Sequence, residues 1–210
     1  MDFIKLEKYL IKAIQNLPGK EAQYKMASKI RFDIENNTII SAQQAGVLIL
    51  LFPYKNNIAT VFIKRNSYPG PHSGQISFPG GKYEPVDKNI VNTALREANE
   101  EIGIDLNLIK VIGQISPLYI MVSNFNVVPV IAYTKVNPNF VIDKSEVEKI
   151  IVIKINDFYN PKNLSSIEFN WEKEKINAPC YKINNNIIWG ATAMILSEFF
   201  EIMKDYFYNN

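Results

Sequence analysis

Three glutamates crowd into the string Arg96-Glu97-Ala98-Asn99-Glu100-Glu101-Ile102-Gly103-Ile104. At about 3.6 residues per turn, Glu97, Glu100 and Glu101 project within an arc of about 100°. They stand toward the C-terminal end of the predicted helix, where the backbone dipole disfavours negative charge. Like charges three and four residues apart repel by about 0.2–0.5 kcal/mol per pair, and a cation among them reverses the sign of that cost. Oxygen ligands without a neighbouring His or Cys suit Mg²⁺ or Mn²⁺. The same string also reads as a solvated helix face, with Arg96 paired to Glu100 one turn on. The context upstream favours the metal: an apolar strand, then Gly80-Gly81, then this helix.

The elements that must position these carboxylates follow from pattern. Val91, Ala94, Leu95, Ala98 and Ile102 form an apolar stripe beside the glutamate face, so one helix both packs and binds. It is predicted to start near 87–89, with Asp87 or Asn89 as N-cap, and to end at Gly103 in a left-handed cap. Residues 45–52 predict a buried strand and 60–64 its partner, joined across 53–59 as a hairpin. The Gly-, Pro- and Ser-rich stretch 66–79 predicts loop, with an extended piece at 75–78. Amphipathic spacing predicts a helix over 2–17, ended by Pro18-Gly19, and a second over 21–30. Strands are predicted over 111–115, 119–123, 126–133 and 148–155. Pro129 lacks a ladder donor, which places its strand at an edge or a bulge. A closing helix is predicted over 191–208. The fold class is α+β with a mixed sheet, in one domain over 1–210 on which residues 1–40 pack as a helical extension.

Bulk properties narrow the function. The chain has 210 residues, 47% hydrophobic and 21% charged, ordinary for a globular protein. A net charge of +2 offers no global field for nucleic acid or a membrane surface, so an anionic ligand needs local groups. The single Cys180 excludes an internal disulfide and a Cys-rich zinc site, which fits a reducing cytoplasm. The opening Met1-Asp2-Phe3-Ile4-Lys5 lacks a secretion pattern, and no apolar run approaches the roughly 20 residues of a membrane span. A cytoplasmic protein with neither nucleic-acid nor membrane partners is expected.

The glutamate string resembles the Nudix box, G-x5-E-x7-R-E-U-x-E-E-x-G-U with U aliphatic. From Arg96 to Ile104 it matches throughout, Ala98 being a small occupant of the first U. Counted from Gly81, the box glutamate falls on Asp87, and Arg96 comes one residue late; a loop longer by one, with Asp for Glu, explains both. The resemblance implies a Nudix-type α/β/α sandwich and metal-assisted hydrolysis of a nucleoside diphosphate linked to another group. It implies Glu97, Glu100 and Glu101 as catalytic ligands of Mg²⁺ or Mn²⁺, Glu97 and Glu101 most firmly. Arg96 would orient a glutamate through a salt bridge. The base varies within the family, and Glu146 and Glu148 are candidates that also read as solvated charges.

The segment from Phe62 to Gly81 is similar to the one that coenzyme A diphosphatases of this superfamily carry before the box, roughly L-L-T-x-R-(S/A)-x3-R-x3-G-x3-(F/L)-P-G-G. Arg65, Gly74, Phe78, Pro79, Gly80 and Gly81 fall in register. Asn66 stands for the Ser or Ala and Gly70 for the second Arg, with Lys64 or Lys82 as compensating cations. On this resemblance Arg65, Gly80, Gly81 and the lone His72 are substrate-binding candidates. Residues 115–119 and 127–130 are similar to the subfamily's following strand pair. Residues 188–193 are similar to the entry of its last helix, with Trp189 as a core anchor, Gly190 as a turn and Thr192 as a cap. The expectation is cleavage of coenzyme A to 3',5'-ADP and 4'-phosphopantetheine. The alternatives are another nucleoside diphosphate derivative (ADP-ribose, NADH or a dinucleotide) and a non-catalytic Nudix nucleotide sensor. A homodimer is compatible with the family.

Overall fold

The computed structural model describes residues 2–34, 41–67, 69, 73–171 and 174–208. It opens with α1 (Phe3–Ala13), α2 (Gly19–Tyr24) and α3 (Lys29–Ile34). The single helix expected over 21–30 is thus two short ones, divided by a turn that buries Met26 and Ala27. Then come β1 (Gln43–Tyr54) and β2 (Asn57–Arg65), whose turn residues Lys55 and Asn56 both adopt positive φ. Such a two-residue turn matches the twist of the strands, so they run further than the expected 53–59 connector allows. β3 (Ile76–Ser77) and β4 (Gly80–Lys82) precede α4 (Ile90–Ile102). β5 (Lys110–Gln114), β6 (Leu118–Ile120), β7 (Phe125–Tyr133) and β8 (Val147–Lys154) follow, then α5 (Ile155–Phe158). A meander of β9 (Leu164–Trp171), β10 (Glu174–Ile183) and β11 (Asn186–Trp189) leads into α6 (Gly190–Tyr208).

The main sheet runs β3-β2-β1-β7-β5, with β4 on β1, β6 on β7 and β8 on β2. It is mixed, because β1 and β7 pair in parallel while the other pairs are antiparallel. Pro129 therefore lies on an interior strand, not at an edge. Its carbonyl accepts from Ile115, so its missing N–H points at the break between β5 and β6, where no ladder bond is lost.

Alternation along β1 divides the core. Leu48, Leu50 and Phe52 pack toward Ala94, Ala98 and Ile102 of α4, whereas Ile49 and Leu51 face Leu6, Leu10, Leu196 and Phe199. The sheet thus lies between α4 and the pair α1 and α6. A buried carboxylate ties the N-terminal helices down: Glu198 of α6 accepts from Gly19, Gln23 and Ser116. The second sheet, β11-β10-β9, covers the near end of α6. Among the described residues no helix is long and apolar enough to cross a membrane.

Candidate active site

α4 is placed by its ends. The Asn89 side chain accepts from the Asn92 N–H at the N-cap, and Gly103 closes the helix at φ 64°. One face meets the core; the next faces β4. There Glu101, only 2% exposed, accepts from the Gly80 N–H at 2.8 Å, with Arg65 Nη1 at 3.6 Å. Burial pushes its carboxyl up to about 8, aided by Glu97 and Glu146 and opposed by the Gly80 N–H and Arg65. Burial also raises Glu97, against the pull of Arg96.

Gly80 is required by this packing, and Gly81 lets the Glu97 carboxylate lie against the strand. A side chain at Gly81 would begin 2.3 Å from Glu97 Oε2, and one at Gly80, where φ is 147°, would strike the Gly46 carbonyl at 2.3 Å. The expected Gly-Gly turn is a strand edge laid directly over two carboxylates.

Arg96 is held on every side. Its Nε lies 2.7 Å from Asp87 Oδ1, and its terminal nitrogens reach Glu97 at 2.9 Å, Glu100 at 2.8 Å and the Lys82 carbonyl at 3.1 Å. Asp87, nearly fully buried, also accepts from Glu84 N–H and Thr93 Oγ1. The Arg96 guanidinium holds the Asp87 carboxyl well below the usual carboxylate range. Asp87, at the position of the box glutamate, thus anchors Arg96, which in turn bonds Glu97 as expected, and Lys88 at φ 66° carries the chain from Asp87 to the helix cap.

These groups line a cleft of about 1040 Å³. Glu97, Glu101, Arg65, Gly80, Gly81, Lys82 and Glu146 all reach it; Glu100 does not, being exposed and bonded to Arg96. Of the two candidate bases, Glu146 enters the cleft, while Glu148 pairs with Lys64 at 2.7 Å. Lys82 is thus the compensating lysine that faces the cleft. His72 and Gly70 lie outside the described residues. Among the described residues no three His, Cys, Asp or Glu side chains already converge on one point. Two all-oxygen carboxylates beside an open cleft nonetheless fit Mg²⁺ or Mn²⁺, since Mg²⁺ keeps waters and uses one or two carboxylates plus substrate phosphates.

Several contributors had no sequence signal of function. Asn66, a departure from the expected Ser or Ala, donates its amide to the Lys144 and Ser145 carbonyls at 3.0 and 2.9 Å, and its N–H to the Glu146 carbonyl. It fastens the loop that carries Glu146. Trp189 is not a core anchor: it is half-buried, stacks near Phe169 at 4.9 Å and lines the cleft with it. Thr192 does not cap α6 but donates to the Ile76 carbonyl at 3.0 Å. Lys20 and Arg31 line the cleft from the N-terminal helices.

A profile of the NUDIX domain matches residues 42–173, more than half of the chain. Nudix hydrolase 22, chloroplastic, of Arabidopsis thaliana is 35% identical over 161 residues, 73% of this chain and 53% of the relative. The uncharacterized Nudix hydrolase NudL of Yersinia pestis is 33% identical over 135 residues, 63% of this chain and 66% of the relative. The chain thus spans about half to two thirds of the length of these curated relatives. A Nudix hydrolase from M. Smegmatis, RenU, shares the fold with a TM-score of 0.57 at 14% identity, over 81% of this chain and 91% of its own. A MutT/nudix family protein from Enterococcus faecalis does so at 0.51 and 16%, over 89% and 74%. The matched profile and the shared mixed α+β fold define a Nudix domain. The chain belongs to the Nudix family.

Proposed function

We propose that this chain is a Mg²⁺- or Mn²⁺-dependent diphosphatase whose substrate is coenzyme A or a derivative. Glu97 and Glu101 would hold the cation, with Glu100 joining after release from Arg96. The ion supplies positive charge beside phosphate oxygens and acidifies nearby water. Glu146 takes the proton of the water that attacks phosphorus, and the P–O–P bond breaks so that each product keeps one phosphate of the diphosphate, 3',5'-ADP retaining its 3'-phosphate as well. Arg65 and Lys82 hold diphosphate oxygens, and Arg96 positions Glu97 while Asp87 anchors Arg96.

The observation that carries this reading is that Glu97, Glu101 and Glu146 line one cleft with Arg65, Lys82 and the Gly80–Gly81 strand. The rest of the cleft presents Met121, Val122 and Phe125, an apolar run suited to a long, partly uncharged arm. The coenzyme A choice is supported by the register of Arg65, Gly74, Phe78 and Pro79. Mass-spectrometric product analysis tests it, with coenzyme A, ADP-ribose, NADH and diadenosine polyphosphates as parallel substrates. Formation of 3',5'-ADP and phosphopantetheine is expected. Turnover confined to another substrate removes the coenzyme A assignment, and tight binding without any turnover replaces hydrolysis by sensing.

A further inference from the structure

The cleft carries cations beyond those beside its carboxylates. Its carboxylates Glu97, Glu101 and Glu146 act on one another at the wall built by β4 and α4. Lys20, Ser28 and Arg31 line the same cleft from α2, α3 and the turn between them, all ahead of the residues 42–173 that the NUDIX profile covers. Arg31 is the informative member. Its guanidinium donates to the Tyr119 carbonyl of β6, and its backbone N–H donates to Ser28. Among the described residues no carboxylate forms an ion pair with it. Burial works against its charge. A carbonyl answers one of five guanidinium donors, and a desolvated cation without a counter-ion is costly to fold around. Tethering α3 to β6 needs only a neutral donor, so the tether leaves the charge unexplained.

We propose that Arg31, with Ser28 and Lys20, forms an anion subsite for a phosphomonoester that the substrate carries apart from its diphosphate. Guanidinium presents paired donors to two phosphate oxygens, and these three residues come from elements other than those that carry the carboxylates. The proposal rests on the diphosphatase reading for the identity of its ligand. The 3'-phosphate of coenzyme A is such a group; ADP-ribose and NADH have none. The N-terminal helices would thus select among substrates whose diphosphate the Nudix residues treat alike.

The test compares kcat/KM for coenzyme A with that for dephospho-coenzyme A, which lacks only this phosphate. The wild-type chain should favour coenzyme A. Arg31→Gln should lower that ratio by about tenfold or more, the scale of a lost charge-assisted contact, and Arg31→Lys should restore part of it. A ratio unchanged in Arg31→Gln overturns the subsite, even if both activities fall together through loss of the Tyr119 tether. Should the wild-type chain cleave neither compound, the coenzyme A reading fails on its own. Calorimetry of adenosine 3',5'-bisphosphate against AMP then decides the subsite. Tighter binding of the bisphosphate, lost in Arg31→Gln, supports it, and equal affinities refute it.

Discussion

Glu101 is held in the chain at a measurable cost when no cation is present, and Glu101→Gln exposes that cost. The carboxyl titrates near 4.5 in an ordinary setting and at about 8 when folded. Between those values the unfolded chain has lost its proton and the folded chain has kept it. A raised carboxyl therefore stabilises the fold at low pH, and that stability is lost as pH rises through the window. At about 1.4 kcal/mol per pH unit, the loss reaches about 3 kcal/mol at pH 7. For a chain of this size, that is a fall in melting temperature of about 6–12 °C. In the variant, the amide oxygen would accept the same Gly80 N–H without a charge to bury. In the presence of EDTA, wild-type melting temperature should fall from pH 5 to pH 8, while Glu101→Gln, which keeps the raised Glu97 carboxyl, should fall less and melt above wild type at pH 8. Adding Mn²⁺ should lift the wild type alone at pH 8, because a cation favours the ionised form. The same variant should lose turnover by orders of magnitude. A Glu101→Gln chain that melts below wild type at pH 8 in EDTA would refute the argument, by showing that the carboxylate is a net stabiliser of the metal-free fold.

Two further substitutions separate geometry from stability. Gly81→Ala places a methyl against the tip of the flexible Glu97 side chain; the carboxylate moves aside, so stability should change by less than about 1 kcal/mol, yet kcat/KM should drop by about a hundredfold because a ligand has shifted by an ångström. Normal kinetics with Gly81→Ala would show that Glu97 has no fixed role. Asn66→Ala removes the two amide bonds that hold the loop of Glu146. Steady-state assays should show kcat reduced by about tenfold to a hundredfold with KM little altered; a change confined to KM would make Asn66 a substrate-binding residue and leave Glu146 without a role as base.

What was legible in the sequence was local. Asn89, Gly103 and the Ala94-Ala98-Ile102 stripe mark α4 by cap chemistry and periodicity, and α4 lies where they put it. The continuous apolar run of β1 served equally well, and both faces of that strand are buried as such a run implies. The meander β9–β11 was missed because its strands mix Ser, Glu, Asn and Lys with apolar residues and include Pro179. One signal was present: Asn184 and Asn185, both at positive φ, make the same kind of two-residue turn as Lys55-Asn56. The helical arc grouped Glu100 with its neighbours, since about 100° is too coarse to distinguish facing β4 from facing Arg96. The competing reading of Arg96 paired with Glu100 was correct as far as the side chains in the structure go. Asn66 stood out only as a departure from the resembled signature and Arg31 not at all, because their partners lie 78 and 88 residues away.

That distribution has a physical origin. Holding two carboxylates against a strand demands glycine where no side chain fits and a saturated arginine where charges would repel, so the chemistry is written in a tight local code. Recognition of the rest of a long substrate demands only that suitable groups arrive in the same cleft, from any part of the chain. Here the residues that line the cleft outside 42–173 come from the helices ahead of residue 42 and, with Trp189, from beyond residue 173. The buried clasp of Glu198 on Gly19, Gln23 and Ser116 fixes α2 relative to β6, and with it the wall that bears Arg31. On the proposed reading, substrate choice would be coupled to the packing of the N-terminal helices, whereas the cation would be held chiefly through β4 and α4. Substitutions in the clasp should then alter which substrate is preferred before they alter the response to Mn²⁺.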